Sequence, residues 1–434
     1  MAKRRETSTE RRVAIVAGLR TPFVKSNGLF APLSALDLAT ALVSELLASI
    51  PLDPAQLDRI VFGQVVVDPT VPNIAREIGL ACDLPCSVDA YSVARACATG
   101  SQAIVDGAYA ILTGEAEVVL CGGVDALSVP PITYQAPVVR ALMGAQAART
   151  PLAKLRAFAG LRPRDLLPRP PALRELSTGL TMGESAEKMA QENGITRAEQ
   201  DAFACRSHQR AAQAWEQGIF AAEVISVAVP GGPQSVVSRD GMVRADPSEE
   251  KLAQLKPVFD RRYGSVTAGN SSPLTDGAAA LVLMEASRAE ALGFAPIAYL
   301  GSWAFAAVDP AAQLLAAPAL AIPRALARAG RSLADMDLVD MHEAFAAQVL
   351  SNLQALSSAD WQRMHGGSDG AVGTIDRDRL NIYGGSLSIG HPFAATAVRQ
   401  VITMARELER RGSGQALISQ CAAGGLGAAL TLER

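Results

Sequence analysis

Apolar and polar positions follow two rhythms along this chain. "RVAIVAG" (12–18), "DRIVFGQVV" (58–66) and "AEVVLCGGVDA" (116–126) are short, nearly continuous apolar runs, as expected of strands buried on both faces. Between them, "LSALDLATALVSELLAS" (33–49) and "ATGSQAIVDGAYAILTG" (98–114) repeat apolar residues at helical spacing. The second half repeats the theme. "PIAYLGSWAF" (296–305) and "MDLVDMHEAFA" (336–346) predict strands around the Ala-rich helix "APALAIPRALARAG" (317–330), and "ATAVRQVITMARELERRG" (395–412) predicts a helix leading into the strands "QALISQCAAG" and "GLGAALTLE". Strands alternating with helices indicate an α/β class, and two halves of similar grammar suggest an internal duplication.

Between residues 129 and 256 the pattern breaks. "PPITYQAP", "PRPPAL" and "VPGGPQ" interrupt it, and "GESAEKMAQENGITRAEQDAFACRSHQRAAQAWEQG" reads as a polar helical stretch. The expected organisation is an N-terminal half at 1–128 continued at 257–294, an inserted loop domain at 129–256, and a C-terminal half at 295–434.

Composition narrows the class. The chain has 434 residues, 49% of them hydrophobic and only 19% charged, enough to bury a large core. Forty basic against forty-three acidic residues leave a net charge of −3, which excludes the basic balance of a nucleic-acid binder. No apolar run reaches the ~20 residues of a membrane span. The start, "MAKRRETSTERR", carries Glu6 and Glu10, and no apolar stretch precedes Val13, so it does not read as a secretory leader.

None of the six cysteines falls in a CxxC pair, so no zinc or thioredoxin-like motif is indicated. Cys205 and His208 share a helix face, but two ligands make no metal site. The expectation is free thiols in a reducing compartment.

"ARACATGSQA" places Cys97 at a strand-to-helix junction, where a helix N-terminus lowers a thiol pKa. The residue is either a small buried hydrophobe or a nucleophile. In "NIYGGSLSIGHPFAAT", glycines at 384, 385 and 390 lead to His391 and Pro392, which holds the imidazole at a loop-to-helix junction. "SQCAAGGLGAAL" puts a second thiol, Cys421, at the matching place of the other half, suited to proton exchange. In "MHEAFAAQ", His342 is a candidate donor to an oxyanion. "GGSLSIG" lacks the Lys-Ser/Thr of a phosphate loop and "CGGVDA" the spacing of a dinucleotide fingerprint.

Taken in order, "RACATG", "TAGNSSPLTDGAAA", "MHEAFAAQ", "GGSLSIGHPFAAT" and "CAAGGLGAA" resemble the thiolase family. With "STGLTMGESAE" and "RSHQRAAQAW", the likeness is greatest to the thiolase subunit of the trifunctional fatty-acid β-oxidation complex, and it runs from about Val13 to Leu432. The resemblance implies a thiolase fold with layered α/β/α/β/α halves and a loop domain over the active site. It implies Cys97 as the acylated nucleophile, His391 as its base and Cys421 as the acid that protonates the departing enolate. Backbone N–H groups of Cys97 and Ala423 would form one oxyanion hole, and His391 with His342 the other. Many thiolases carry asparagine where this chain has His342. Ser272, Met182 and Phe345 match the positions facing coenzyme A or the pocket.

The implied reaction is cleavage of a 3-ketoacyl-CoA by coenzyme A to acetyl-CoA and a shortened acyl-CoA. Coenzyme A is thus a substrate, and neither a cofactor nor a metal is implied. The rivals are a biosynthetic acetoacetyl-CoA-forming thiolase, another condensing enzyme, and a non-catalytic acyl-CoA carrier. Cys421 argues against a decarboxylating synthase, which needs no such acid. The resemblance further implies a homodimer, a complex with an enoyl-CoA hydratase/3-hydroxyacyl-CoA dehydrogenase subunit, and a cytoplasmic location, or the mitochondrial matrix in a eukaryote. Within 152–174, Leu152, Leu155, Phe158 and Leu161 recur every third residue among six basic residues, which predicts one helix face for an anionic membrane, a partner subunit, or the phosphates of coenzyme A.

Overall fold

The computed structural model describes residues 11–169, 174–231 and 234–434; the N-terminal segment read for a leader lies outside them. In chain order the main elements are β1 (Val13–Arg20), α1 (Ala35–Ala48), β2 (Arg59–Gly63), α2 (Ile74–Ala81), β3 (Asp89–Val93), α3 (Thr99–Thr113) and β4 (Val118–Asp125). The middle of the chain supplies α4 (Ala136–Ala147), α5 (Pro151–Arg156), α6 (Met182–Glu192) and α7 (Arg197–Glu216). The remainder comprises β5 (Thr275–Glu285), β6 (Ala298–Ala307), α8 (Pro318–Ala329), β7 (Leu338–Met341), α9 (Ala346–Ser357), α10 (Phe393–Arg411), β8 (Gln415–Ala422) and β9 (Leu426–Glu433).

The strands join in the order β7-β8-β9-β6-β1-β5-β4-β2-β3, and the pair Val24–Lys25 completes a ten-stranded sheet by pairing with β5. The two halves meet where Val13–Ile15 of β1 pair antiparallel with Ala298–Leu300 of β6. Each half thus contributes one block of neighbouring strands, and helices cover both blocks.

Three cores separate the layers. One lies under α1 and α2, built from Leu38, Leu42, Ile60, Ile78 and Val282. The central core joins α3 and α10 through Ile104, Ile111, Val398 and Ile402. The third packs α8 and α9 against α6 through Leu320, Ile322, Val349 and Met189. At Gly123, a Cβ would come within 2.3 Å of the Ala394 carbonyl, so only glycine lets β4 approach the start of α10 this closely.

Three readings need correction. The polar stretch 183–218 is two helices, because Asn193 ends α6 and Gly194 turns with φ +64° before Thr196 caps α7. The strand read over 336–346 ends at Met341, and the residues after His342 enter α9. The helix face over Leu152–Leu161 does not form: α5 ends at Arg156, Leu155 is 71% exposed, and the chain turns at Phe158–Leu161. Residues 170–173 of that segment lie outside the described part.

Candidate active site

Three of the candidate residues sit at carboxyl ends of strands, where open α/β sheets place their ligands. Cys97 follows β3, Cys421 is the last residue but one of β8, and His342 directly follows β7. The His342 N–H extends the parallel ladder by donating to the Ser419 carbonyl at 2.8 Å. His391 arrives from the other direction, one residue before the N-cap of α10.

The turn that presents Cys97 is held from both sides. Ala96 takes the left-handed conformation with φ +45°, a strained choice for a residue with a Cβ. Thr99 stabilises it, accepting from the Arg95 N–H at 2.7 Å and donating to the Ala96 carbonyl at 2.6 Å. Gly390, φ +115°, makes the corresponding turn before His391, and a Cβ there would meet the Thr275 side chain at 2.6 Å. The His391 N–H donates to the Pro273 carbonyl, which sets this loop beside Ser272.

Cys97, His391, Cys421, Ala423, Ser272, Met182 and Phe345 line one cavity of about 280 Å³. His342 stands behind the wall, its ring 4.1 Å from that of His391 and tilted by 43°. Each histidine is anchored by Nδ1, His391 to Thr396 Oγ1 at 2.7 Å and His342 to Ser386 Oγ at 2.8 Å. Both Nε2 atoms are buried without a partner among the described residues. Two unsatisfied nitrogens in one buried pair favour an incoming oxygen, since burying them empty is unfavourable.

Burial decides the charge state. It pushes the Cys97 thiol up to about 12, with Asp125 adding to the rise while the N–H groups of Ala423 and Cys97 itself oppose it. The helix-end effect expected for Cys97 is therefore outweighed in the resting site. Burial, with the Arg399 charge, pulls His391 down to about 3. His342 is held well below the ordinary range by burial, His391 and Arg399, and the Cys421 thiol well above its own by burial and Cys97. The resting site is neutral: two thiols and two imidazoles.

The supporting residues were not singled out from the sequence. Thr396 and Ser386 lie inside the quoted histidine and glycine motifs, and their hydroxyls at fixed offsets were the available signal. Asp125 has no exposure and accepts from Val65, Val66 and Ala394 N–H groups, joining β4 to the start of α10. Glu343, buried, receives Asn381 Nδ2 at 2.6 Å and Ser207 Oγ at 2.7 Å, which ties α7 to the loops of both histidines. Outside the site, His208 accepts the Arg244 N–H and Cys205 is buried beside it; among the described residues no cluster suits a metal ion. All six cysteines are free.

Comparison with known proteins agrees with this arrangement. The thiolase N-terminal domain family matches residues 13–287 and the thiolase C-terminal domain family residues 294–434. The 3-ketoacyl-CoA thiolase of Serratia proteamaculans is 50% identical over 422 residues, 97% of each chain. That of Shewanella amazonensis is 49% identical over 435 residues and the whole of both chains. Among solved structures, the Bacillus anthracis acetyl-CoA acetyltransferase superposes with a TM-score of 0.84 at 32% identity, covering 98% of this chain and 99% of its own. Human mitochondrial 3-ketoacyl-CoA thiolase in complex with CoA gives 0.81 at 30% identity, covering 98% of each chain. Two domain families spanning nearly the whole sequence, with full-length relatives at half identity, make this chain a member of the thiolase family.

Proposed function

We propose that the chain is an acyltransferase that cleaves 3-ketoacyl-CoA with coenzyme A to acetyl-CoA and an acyl-CoA shortened by two carbons. One observation carries the reading: two thiols from different halves share a cavity with an imidazole whose second nitrogen has no partner among the described residues.

Cys97 passes its proton to His391 Nε2 as its sulfur attacks the keto carbon. Oxygen charge on the acyl side falls to the N–H groups of Cys97 and Ala423, which in the resting site point at the sulfur. The bond between the second and third carbons breaks and its electron pair moves into the enolate of acetyl-CoA. The enolate oxygen lies with His391 and His342, and Cys421 gives its proton to the second carbon. Coenzyme A then gives its thiol proton to Cys421 as its sulfur displaces the acyl group, and His391 returns its proton to the departing Cys97 sulfur. Splitting carbon–carbon cleavage from acyl transfer is what the covalent intermediate provides.

Full-length relatives at 49–50% identity that are named 3-ketoacyl-CoA thiolase favour the degradative sense, although one site runs both directions. Ser272, Met182 and Phe345 would face the pantetheine arm. A homodimer in the cytoplasm, joined to a hydratase–dehydrogenase subunit, completes the reading. Exposed Leu152 and Leu155 beside Lys154 and Arg156 would give the short helix α5 a peripheral contact with an anionic membrane.

The test separates the thiols. Cys97→Ala should abolish both thiolysis and acyl-enzyme formation. Cys421→Ala should still take an acetyl group on Cys97 while proton exchange at the second carbon of acetyl-CoA falls by about 10²–10⁴. Normal exchange in Cys421→Ala refutes the acid role.

A further inference from the structure

Beneath the candidate site runs a chain of buried polar side chains. The Ser101 hydroxyl of α3 donates to Gln420 Oε1 of β8, and Gln420 Nε2 donates to Gln400 Oε1 of α10 at 2.8 Å. Gln400 Nε2 donates in turn to the Asp340 carboxylate of β7 at 2.7 Å, and Arg399 Nη1 meets the other Asp340 oxygen at 3.1 Å. None of the five is more than 1% exposed, and none lines the cavity that contains both cysteines.

The four elements so joined are those that carry the four reactive residues. Cys97 leads into α3, Cys421 follows Gln420 on β8, His391 leads into α10, and His342 follows β7. Successive side chains of a strand face opposite ways, so Gln420 points into the helix layer while Cys421 points into the cavity.

Every link has a direction. The Asp340 carboxylate, paired with a guanidinium, only accepts, and so does its main-chain carbonyl, which Gln400 Nε2 also meets at 3.1 Å. Gln400 therefore turns its oxygen to Gln420, which answers with Nε2 and keeps Oε1 for the Ser101 proton. A carboxylate at 420 could not donate, and a hydrocarbon could do neither.

We propose that Gln420 is a positioning residue for carbon–carbon cleavage, setting the Cys421 thiol against the second carbon by tying β8 to the helices that carry Cys97 and His391. This rests on the thiolase reading above. Ladders to β7 and β9 fix β8 within the sheet, and Gln420 fixes it against the helix layer. Cys97 and His391 have separate braces in Thr99 and Thr396, so the Cys421 side gives way first when the chain is cut.

Gln420→Met keeps the length of the side chain and removes both hydrogen bonds. Two rates are compared in wild type and variant: acetylation of Cys97 by acetyl-CoA, and proton exchange at the second carbon of acetyl-CoA. Exchange should fall about tenfold or more relative to acetylation, since misplacement by about 1 Å can cost as much as about 10²-fold. Added to Cys421→Ala, the same change should lower exchange no further, because it acts through the thiol already lost. Ser101→Ala cuts the chain at its end with little change of volume, and it should shift the same ratio in the same direction even if Gln420→Met fails to fold. Equal loss of both rates, an unchanged ratio in both single variants, or a further drop in the double variant overturns the positioning role. A wild type that takes no acetyl group and exchanges no proton overturns the thiolase reading and this role with it.

Discussion

A thiol held near pKa 12 and an imidazole held near 3 form no ion pair at neutral pH. The proton moves only as attack on the substrate gives the new charge an oxygen with donors waiting for it, so the resting site keeps its nucleophile masked. The same burial has a consequence for stability. His391 titrates at its ordinary 6.5 when unfolded and near 3 when folded, so between those values the unfolded chain binds more protons. Stability from this group is full above pH 6.5 and is lost as pH falls toward 3, by up to about 1.4 kcal/mol per pH unit. His391→Asn removes that dependence. Melting temperatures measured from pH 7 to 4.5 should show the advantage of the wild type over the variant shrinking as pH falls. A gap that stays constant would mean that His391 is not buried neutral.

At the scale of elements, each histidine depends on a hydroxyl carried by a neighbouring helix or turn. Thr396 stands in the first turn of α10, five residues after His391, and its Oγ1 meets Nδ1 at 2.7 Å; the base role proposed for Nε2 requires that Thr396 accept Nδ1–H. Thr396→Val keeps the shape and removes the acceptor. By analogy with other residues that orient a functional histidine, kcat should fall about 10–100-fold with little change in KM for coenzyme A, and Thr396→Ser should restore it. A loss in KM alone would place Thr396 in substrate binding. Elements with strong periodicity were legible beforehand: α1, α3, α10 and the strands β1 and β8 fall where the apolar pattern puts them. β5 was not, although every residue from Thr275 to Glu285 is buried. Its start, "TDGAAA", follows its one β-branched residue, Thr275, with Asp, Gly and Ala, which are depleted in strands, and it pairs at its centre with both β1 and β4, so long-range pairing decides its form. The chemistry-bearing motifs were readable because each sits at a strand end or glycine turn. Their hydroxyl partners, Thr396 and Ser386, were not, because a serine or threonine bears no mark of the ring it will meet.

For the whole molecule, the sheet has an unpaired side. β3 is the last strand in the order, bonded to β2 alone among the described residues, and Asp89 and Ser92 on it are exposed. An edge of this kind is a template for another chain unless something blunts it. Pairing β3 with β3 of a second copy about a two-fold axis satisfies the backbone groups of both edges that remain beyond the Ala90 carbonyl, which Asn73 Nδ2 already meets at 3.0 Å, and a stable interface then needs roughly 1,600 Å² in total from the flanking surfaces. Such an edge lies close to function, since Cys97 follows β3 by only four residues. Light scattering should therefore find twice the chain mass of 45.3 kDa at micromolar concentration. Proline removes a backbone donor, and the N–H groups of Tyr91 and Ser92 point to opposite sides of the strand. Tyr91→Pro and Ser92→Pro, made separately, should differ: the one facing the open edge yields a folded monomer, and the one facing β2 lowers the melting temperature. Thiolysis by the monomer should fall as well, because the turn at Ala96 loses the strand that braces it. A wild type that scatters as a monomer, or two proline variants that both remain dimeric, would overturn the pairing.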